Sequence, residues 1–231
     1  MHNVFRTLGQ QMGMQLIRAI LPESIDVFLN EVINEKVRSV VLANSVTAFQ
    51  DRVSIQDNSV SPINYVRTLY RTAPSSGADI TVNDEFYKVA IDSDVQQKTM
   101  FYTSFVATYG GNVSSSTNPK RYGCRFIEGD KLYDTLRDYC NRASHDYPVV
   151  TMRADENNRE FLEVYIGDSN KELVNLDIAF IERPAIVKWS TVETEKVNCN
   201  LPVYTHNEIV ELAVGKYFQS VGATTRPVPQ N

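Results

Sequence analysis

Cysteine and histidine are scarce, with three of each in 231 residues, and tryptophan occurs once. Cys124, Cys140 and Cys199 are far apart, odd in number and never at CxxC spacing, which argues against a disulfide framework and against a zinc site. That usage suits a chain made in a reducing cytoplasm, where the sequon Asn112-Val113-Ser114 carries no weight. Long apolar runs are missing too. No stretch reaches the length of a membrane span, and the first twenty residues lack a basic region followed by an apolar run and a small-residue cleavage site. GxGxxG, GxxxxGKS/T, HExxH and GxSxG are all absent, so phosphate-cradling, zinc and nucleophile-elbow chemistry have no anchor and no cofactor is expected. Positive charge is in deficit, 23 Lys and Arg against 28 Asp and Glu. A net charge of -5 does not suit a protein that holds nucleic acid by neutralising phosphates.

What the chain does contain is ordinary for a folded protein: 42% hydrophobic and 22% charged residues, with 12 Tyr and 10 Phe that suit a strand-rich core. Val4, Phe5, Leu8, Met12, Leu16 and Ile20 recur at helical spacing and predict a first helix over Asn3 to Ile20. Pro22 fits the first turn of a second helix, whose stripe is Ile25, Phe28, Leu29, Val32, Ile33, Val37, Val40 and Val41. Near the other end, Thr205 and Glu208 have capping-box spacing, so a helix is expected from Thr205 to Val221. Its apolar face, with Ile209, Leu212 and Ala213 beside Val210, Val214, Tyr217 and Val221, is wide enough to sit between layers, with strands expected on one side. Helices this amphipathic need a partner surface. Phe5, Leu8, Met12, Ile25, Phe28, Leu29, Val32 and Tyr217 are therefore the candidate subunit-interface residues.

Between the helices, Ala48 to Arg71 reads as extended, and Thr72 to Asp79 as a loop by composition. Strands are predicted at Ile80 to Val82 and Phe86 to Ile91 around an Asn83-Asp84 turn, then at Lys98 to Tyr109 with both faces covered. Gly110 to Pro119 reads as a long polar loop, and Tyr122 to Ile127 as a strand. A short helix capped by Asp130 should bury Leu132, Tyr133, Leu136, Tyr139 and Cys140. Further strands are expected at Tyr147 to Met152, Phe161 to Ile166 and Leu176 to Ile181, with a weaker one at Ile186 to Val192. Strands grouped between terminal helices indicate an α+β fold with a mostly antiparallel sheet. The expected division is a helical arm over 1–45, an α+β domain over 46–221 and an extended tail over 222–231.

Three constellations hold the candidate chemistry. Cys140, His145 and Asp146 are close in sequence, as a thiol, base and orienting carboxylate must be in space, but the stripe reading makes Cys140 a core residue beside a turn. Glu160, Glu163, Asp168 and Asp177 could supply the two carboxylates of a glycan hydrolase, although acids alternating with apolar residues also mark a solvated strand face. Lys120, Arg121 and Arg125 form the densest cationic cluster, which fits a solvated sheet edge. His206 is expected to face solvent in the first turn of its helix, and His2 is terminal.

Taken in order, DYPVVTMRADENNREFLEVYIGD, NLDIAFIERPAIV and LPVYTHNEIVELAVGKYF resemble virion structural proteins of crAss-like tailed bacteriophages, the connector or ring proteins stacked below the portal. The resemblance runs from Tyr122 onward and is carried at the end by Leu201, Pro202, Glu208, Ile209, Val210, Leu212, Ala213 and Val214. It implies a non-enzymatic subunit of the neck or tail that closes into a homo-oligomeric ring, of about twelve copies if it matches a portal. The implied partners are copies of the chain itself, the portal, other tail ring proteins, and DNA passing through the lumen without specific binding. The implied location is the virion, after synthesis in the host cytoplasm. A hydrolase built on strand carboxylates, or a monomeric fibre-docking module, is the alternative.

Overall fold

A computed structural model describes residues 1–11, 20–50, 63–110, 120–167 and 172–224, with backbone alone at 43–50, 63, 76 and 222–224. The fold is α+β, with mostly antiparallel sheets and a C-terminal helix. The elements are α1 (His2–Gln11), α2 (Pro22–Gln50), α3 (Ile63–Val66), β1 (Tyr70–Ser76), β2 (Ile80–Val82), β3 (Tyr87–Ala90), α4 (Ser93–Lys98), β4 (Thr99–Gly110), β5 (Lys120–Gly123), β6 (Arg125–Phe126), α5 (Leu132–Arg137), β7 (Val149–Ala154), β8 (Glu160–Tyr165), β9 (Glu172–Glu182) and α6 (His206–Thr224). They form two compact units, Met1–Leu69 with Pro184–Asn231, and Tyr70–Arg183. This division replaces the expected boundaries at 45 and 221. The N-terminal helices are no separate arm, because α1 and α2 both pack on α6.

In the first unit, Ile25, Leu29, Val32, Ile33 and Val37 of α2 are all buried, as the 3.6-residue stripe requires. Ile209, Val210, Ala213 and Val214 of α6 and Phe5 of α1 are buried as well. Tyr217 closes this core, its ring edge-on to Phe5 at 6.2 Å and to Phe28 at 5.5 Å between centroids. Within the unit the partners of α6 are thus helices rather than strands. Leu212 stays exposed. Pro22 does begin α2, and the Leu21 carbonyl accepts from the Ser24 amide at 3.0 Å. Of the first predicted helix, Met12 to Ala19 lies outside the described residues.

The capping box does not form. A 3-10 turn, Val203–Thr205, precedes α6, and the buried Thr205 hydroxyl donates to the Pro202 carbonyl at 2.7 Å. The Glu208 carboxylate instead pairs with Lys36 and accepts from the Tyr65 hydroxyl, so tertiary partners win over the local motif. The helix also continues through Gly222 to Thr224, inside the predicted tail, whose remaining residues lie outside the described ones.

The second unit holds two sheets, ordered β1-β9-β4-β5 and β2-β3-β8-β7-β6, antiparallel throughout except for the β6–β7 pair. Period-2 alternation sends Phe105, Ala107 and Tyr109 of β4, Leu176 and Ile178 of β9, and Leu162 and Val164 of β8 into one core. Leu173 is out of phase with Leu176 but joins the same core, because a register shift between Thr108 and Tyr109 absorbs one residue. Thr103 and Ser104 are exposed, so β4 is not covered on both faces along its whole length. Val149 and Tyr165 point to the opposite face of the second sheet and meet Leu132, Leu136 and Ala143 in a smaller cluster.

Thr72 to Asp79, expected as a loop, is mostly strand. β1 is an edge strand in register with β9, Pro74 opposite Asp177, and only an edge tolerates a residue with no N–H to donate. α5 has Lys131 at its N-cap with no side-chain cap bond, so Asp130 does not cap it. The helix ends at Arg137, which leaves Tyr139 and Cys140 exposed, and Tyr133 is exposed as well. Ile186 to Val192 forms no strand. Its single ladder contact is an isolated antiparallel bridge between Lys188 and Val197.

Candidate interaction surface

Three of the four carboxylates that a hydrolase would need are engaged elsewhere. Glu160 accepts from the Tyr102 hydroxyl at 2.7 Å. Glu163 is buried and accepts from Arg153 Nε at 2.9 Å and from the Tyr165 hydroxyl at 3.1 Å. Asp177 belongs to the other sheet, where it pairs with Arg121 and accepts from Asn175 at 2.8 Å. Asp168 lies outside the described residues. Glu163 also departs from the solvated-face reading, since its carboxylate is buried and paired with the partly exposed Arg153 guanidinium.

His145 Nε2 sits 3.1 Å from Asp146 Oδ1 and edge-on to the Tyr122 ring, while the Cys140 amide donates to Asp138. Cys140 is exposed rather than a core residue. The cationic cluster is divided as well: Arg121 goes to Asp177, Arg125 donates to the Asn141 carbonyl, and Lys120 stands exposed at the start of the edge strand β5.

The eight candidate interface residues fare differently from expectation. Phe5, Ile25, Leu29 and Val32 are at most 2% exposed and belong to the core of their own unit, which removes them as contacts for a neighbour. Leu8, Phe28 and Tyr217 are half-buried, and Met12 lies outside the described residues.

A different surface is built along α2 by Asp26 and Asn30, polar residues outside its apolar stripe. Asn30 grips the backbone of Val187 twice, accepting from its amide at 2.7 Å and donating to its carbonyl at 2.9 Å. One turn earlier, Asp26 Oδ2 accepts from the Trp189 amide at 2.9 Å and Oδ1 lies 2.7 Å from His2 Nε2. The match is geometric. Four helical residues rise about 6 Å, and two extended residues span about 6.6 Å, so side chains at i and i+4 meet alternate residues of a strand-like segment. Val187 is thereby buried, while Ile186 is 74% and Trp189 42% exposed. The same segment exposes Val192 and Val197, and it ends in Val203 (80% exposed) and Tyr204 (58%) ahead of α6. Tyr204 is itself fixed, its hydroxyl donating to the Asn64 carbonyl at 2.7 Å.

Nothing in the spacing of Asp26 and Asn30 separates two anchors from two solvated residues, and His2, dismissed as terminal, is part of the same arrangement. Replacing Asn30 by Ala is expected to cost about 1 to 2 kcal/mol, because two buried backbone groups lose their partner. Emission from Trp189, the sole tryptophan, should move to the red and quench more readily as the segment loosens. An unchanged spectrum would show that the anchor is dispensable.

A concavity of about 470 Å³ lies between α2 and α6, with Val32, Leu212 and Gly215 among its lining residues. Lys216 crosses it to Glu31 at 2.7 Å and Glu35 at 2.6 Å, and the hydrogen bonds it donates to these carboxylates raise the pKa of its ammonium. Hydrogen bonds from Lys36, then from Tyr65, hold the Glu208 carboxyl below its usual range.

No family model matches this chain, and no curated protein matches it. Among the described residues, no helix is long and apolar enough to cross a membrane.

Proposed function

We propose that this chain is a non-enzymatic structural subunit of a phage neck or tail that closes with copies of itself into a ring and leaves a channel for DNA. The observation that carries this reading is the anchored segment ahead of α6, where Ile186, Trp189, Val203 and Tyr204 are held outward by fixed backbone contacts. Exposed apolar side chains on a rigid support are what a protein contact uses. The sheet edges offer no competing route: β1 carries Pro74, β5 carries Lys120 and Arg121, and β2 and β6 have three and two residues. Each of these devices discourages strand addition. The resemblance of the chain from Tyr122 onward to crAss-like connector proteins supplies the neck or tail setting, the portal as a partner, and an expected count of about twelve. A net charge of -5 suits a lumen that lets DNA slide.

Native mass over a wide concentration range is the test. A closed multiple of 26.2 kDa is expected. Ile186→Asp combined with Val203→Asp should reduce it to the monomer while changing stability by no more than about 0.5 kcal/mol per site, since both positions are exposed. A strict monomer at every concentration, alone and with a portal ring, would sink the reading.

A further inference from the structure

The sheet unit carries a depression of about 490 Å³ beside the end of α5, lined by the apolar Leu136, Ala143 and Tyr165 and by the charged Glu85 and Arg142. We propose that Ile186 of one copy seats in this depression on the next copy, with Lys188 against Glu85, a contact that rests on the ring reading above.

The depression is preformed. Gly167, at φ +63°, passes so close to Ala143 that an added Cβ would lie 2.2 Å from the Ala143 carbonyl oxygen, so the chain leaving β8 is pressed against the turn that follows α5. That turn is itself pinned, with Ser144 and Tyr147 exchanging amide-to-carbonyl bonds at 3.3 and 3.1 Å. The Tyr165 ring rests against Phe86, 5.4 Å between centroids. A rigid site loses little conformational freedom when it is filled. The Arg142 guanidinium already lies over the Tyr139 ring at 5.1 Å, whereas the Glu85 carboxylate is exposed and has no ion pair among the described residues. An apolar side chain accompanied by a cation therefore complements the depression.

The anchored segment presents that pair. Asn30 holds both the amide and the carbonyl of the buried Val187, so Ile186 and Lys188, its neighbours on an extended backbone, face the other way and stand about 6.6 Å apart. Ile186 is 74% exposed, and Lys188 is exposed with no ion pair among the described residues. The partner is a second copy because a depression on the sheet unit and a projection on the helical unit are unlike patches of one chain, and a contact between unlike patches is what closes a ring. Each copy then gives one projection and receives one, so every Lys188 and every Glu85 finds its opposite charge.

The test uses full-length chains. Glu85→Lys and Lys188→Glu should each raise the concentration at which the oligomer forms by about fivefold, and the two together should restore it. Both side chains are exposed, so neither change should lower thermal stability. In a background of Cys140→Ser with Cys199→Ser, a chain with Ile186→Cys mixed with one with Ser144→Cys should form a disulfide-linked heterodimer, which requires the two Cα atoms to come within about 7 Å. An oligomer that persists unweakened in both charge variants, with no such disulfide, would overturn this contact and leave the ring reading standing. A wild-type monomer at every concentration, alone and with a portal ring, would remove the ring reading and this contact together. A diluted chain carrying both new cysteines that links only to itself would place Ile186 in its own depression and overturn the assignment to a neighbour.

Discussion

Leu29→Asp is expected to unfold the helical unit, not merely to dissociate an assembly. Leu29 is fully buried in the middle of α2, flanked by Ile25, Val32 and Ile33, none of them more than 2% exposed. Loss of the leucine side chain alone costs about 2 to 5 kcal/mol, because the surrounding helices cannot collapse completely onto the space. The carboxylate adds a desolvation penalty of several kcal/mol more. The sum approaches the whole stability of an ordinary domain, about 5 to 15 kcal/mol. Loss of helical circular dichroism at room temperature is the expected readout. Val27→Asp is the control. It lies on the same helix, two residues earlier and 63% exposed, and should change stability by no more than about 0.5 kcal/mol. A Leu29→Asp chain that melts like the wild type would mean that this face of α2 belongs to a neighbour, as the helical stripe alone suggests.

That contrast marks where the sequence stops being informative. Periodicity identifies a buried face without saying whose surface buries it, and the apolar stripe of α2 reads the same whether α6 or another copy covers it. The covering helix is more than 150 residues away in the chain, joined to α2 only through the fold. Strands were legible where alternation is strict, as at Leu162 and Val164 or Leu176 and Ile178. Most of β1 was not, because from Thr72 onward it has loop composition, and Pro74 is acceptable in a strand only once that strand is known to be an edge. Thr205 and Glu208 satisfy a local motif yet are drawn to Pro202, Lys36 and Tyr65, none of which the spacing of two residues can foresee. Ile186 to Val192 has the alternation of a strand because it is extended, but Asn30 and Asp26 take the place of a neighbouring strand. The interaction surface went unread for that reason: its anchors are polar helix residues, and its apolar members belong to an irregular segment.

Arg153→Met is expected to destabilise the sheet unit by about 1 to 2 kcal/mol, because it strands a buried carboxylate whose partner guanidinium is itself partly screened by solvent. Glu163 is 7% exposed, and its partners are Arg153 Nε and the Tyr165 hydroxyl. The strands on either side place Lys88 and Thr151 opposite it in register, but Thr151 is buried with its own hydroxyl unpartnered, and the Lys88 ammonium lies over the Phe161 ring at 4.2 Å. Arg153 is thus the cation that compensates Glu163, and the carboxylate in turn raises the pKa of the guanidinium. Adding Glu163→Gln to the Arg153→Met chain should recover about 1 to 2 kcal/mol, since the amide keeps an acceptor for Tyr165 and removes the uncompensated charge. The four melting curves of this double-mutant cycle therefore decide what Glu163 is for. A structural ion gives a coupling energy above about 1 kcal/mol between the two sites, as interacting groups do. A carboxylate kept for hydrolysis would instead tolerate Arg153→Met with little loss of stability, and Glu163→Gln alone would then be silent in the melt.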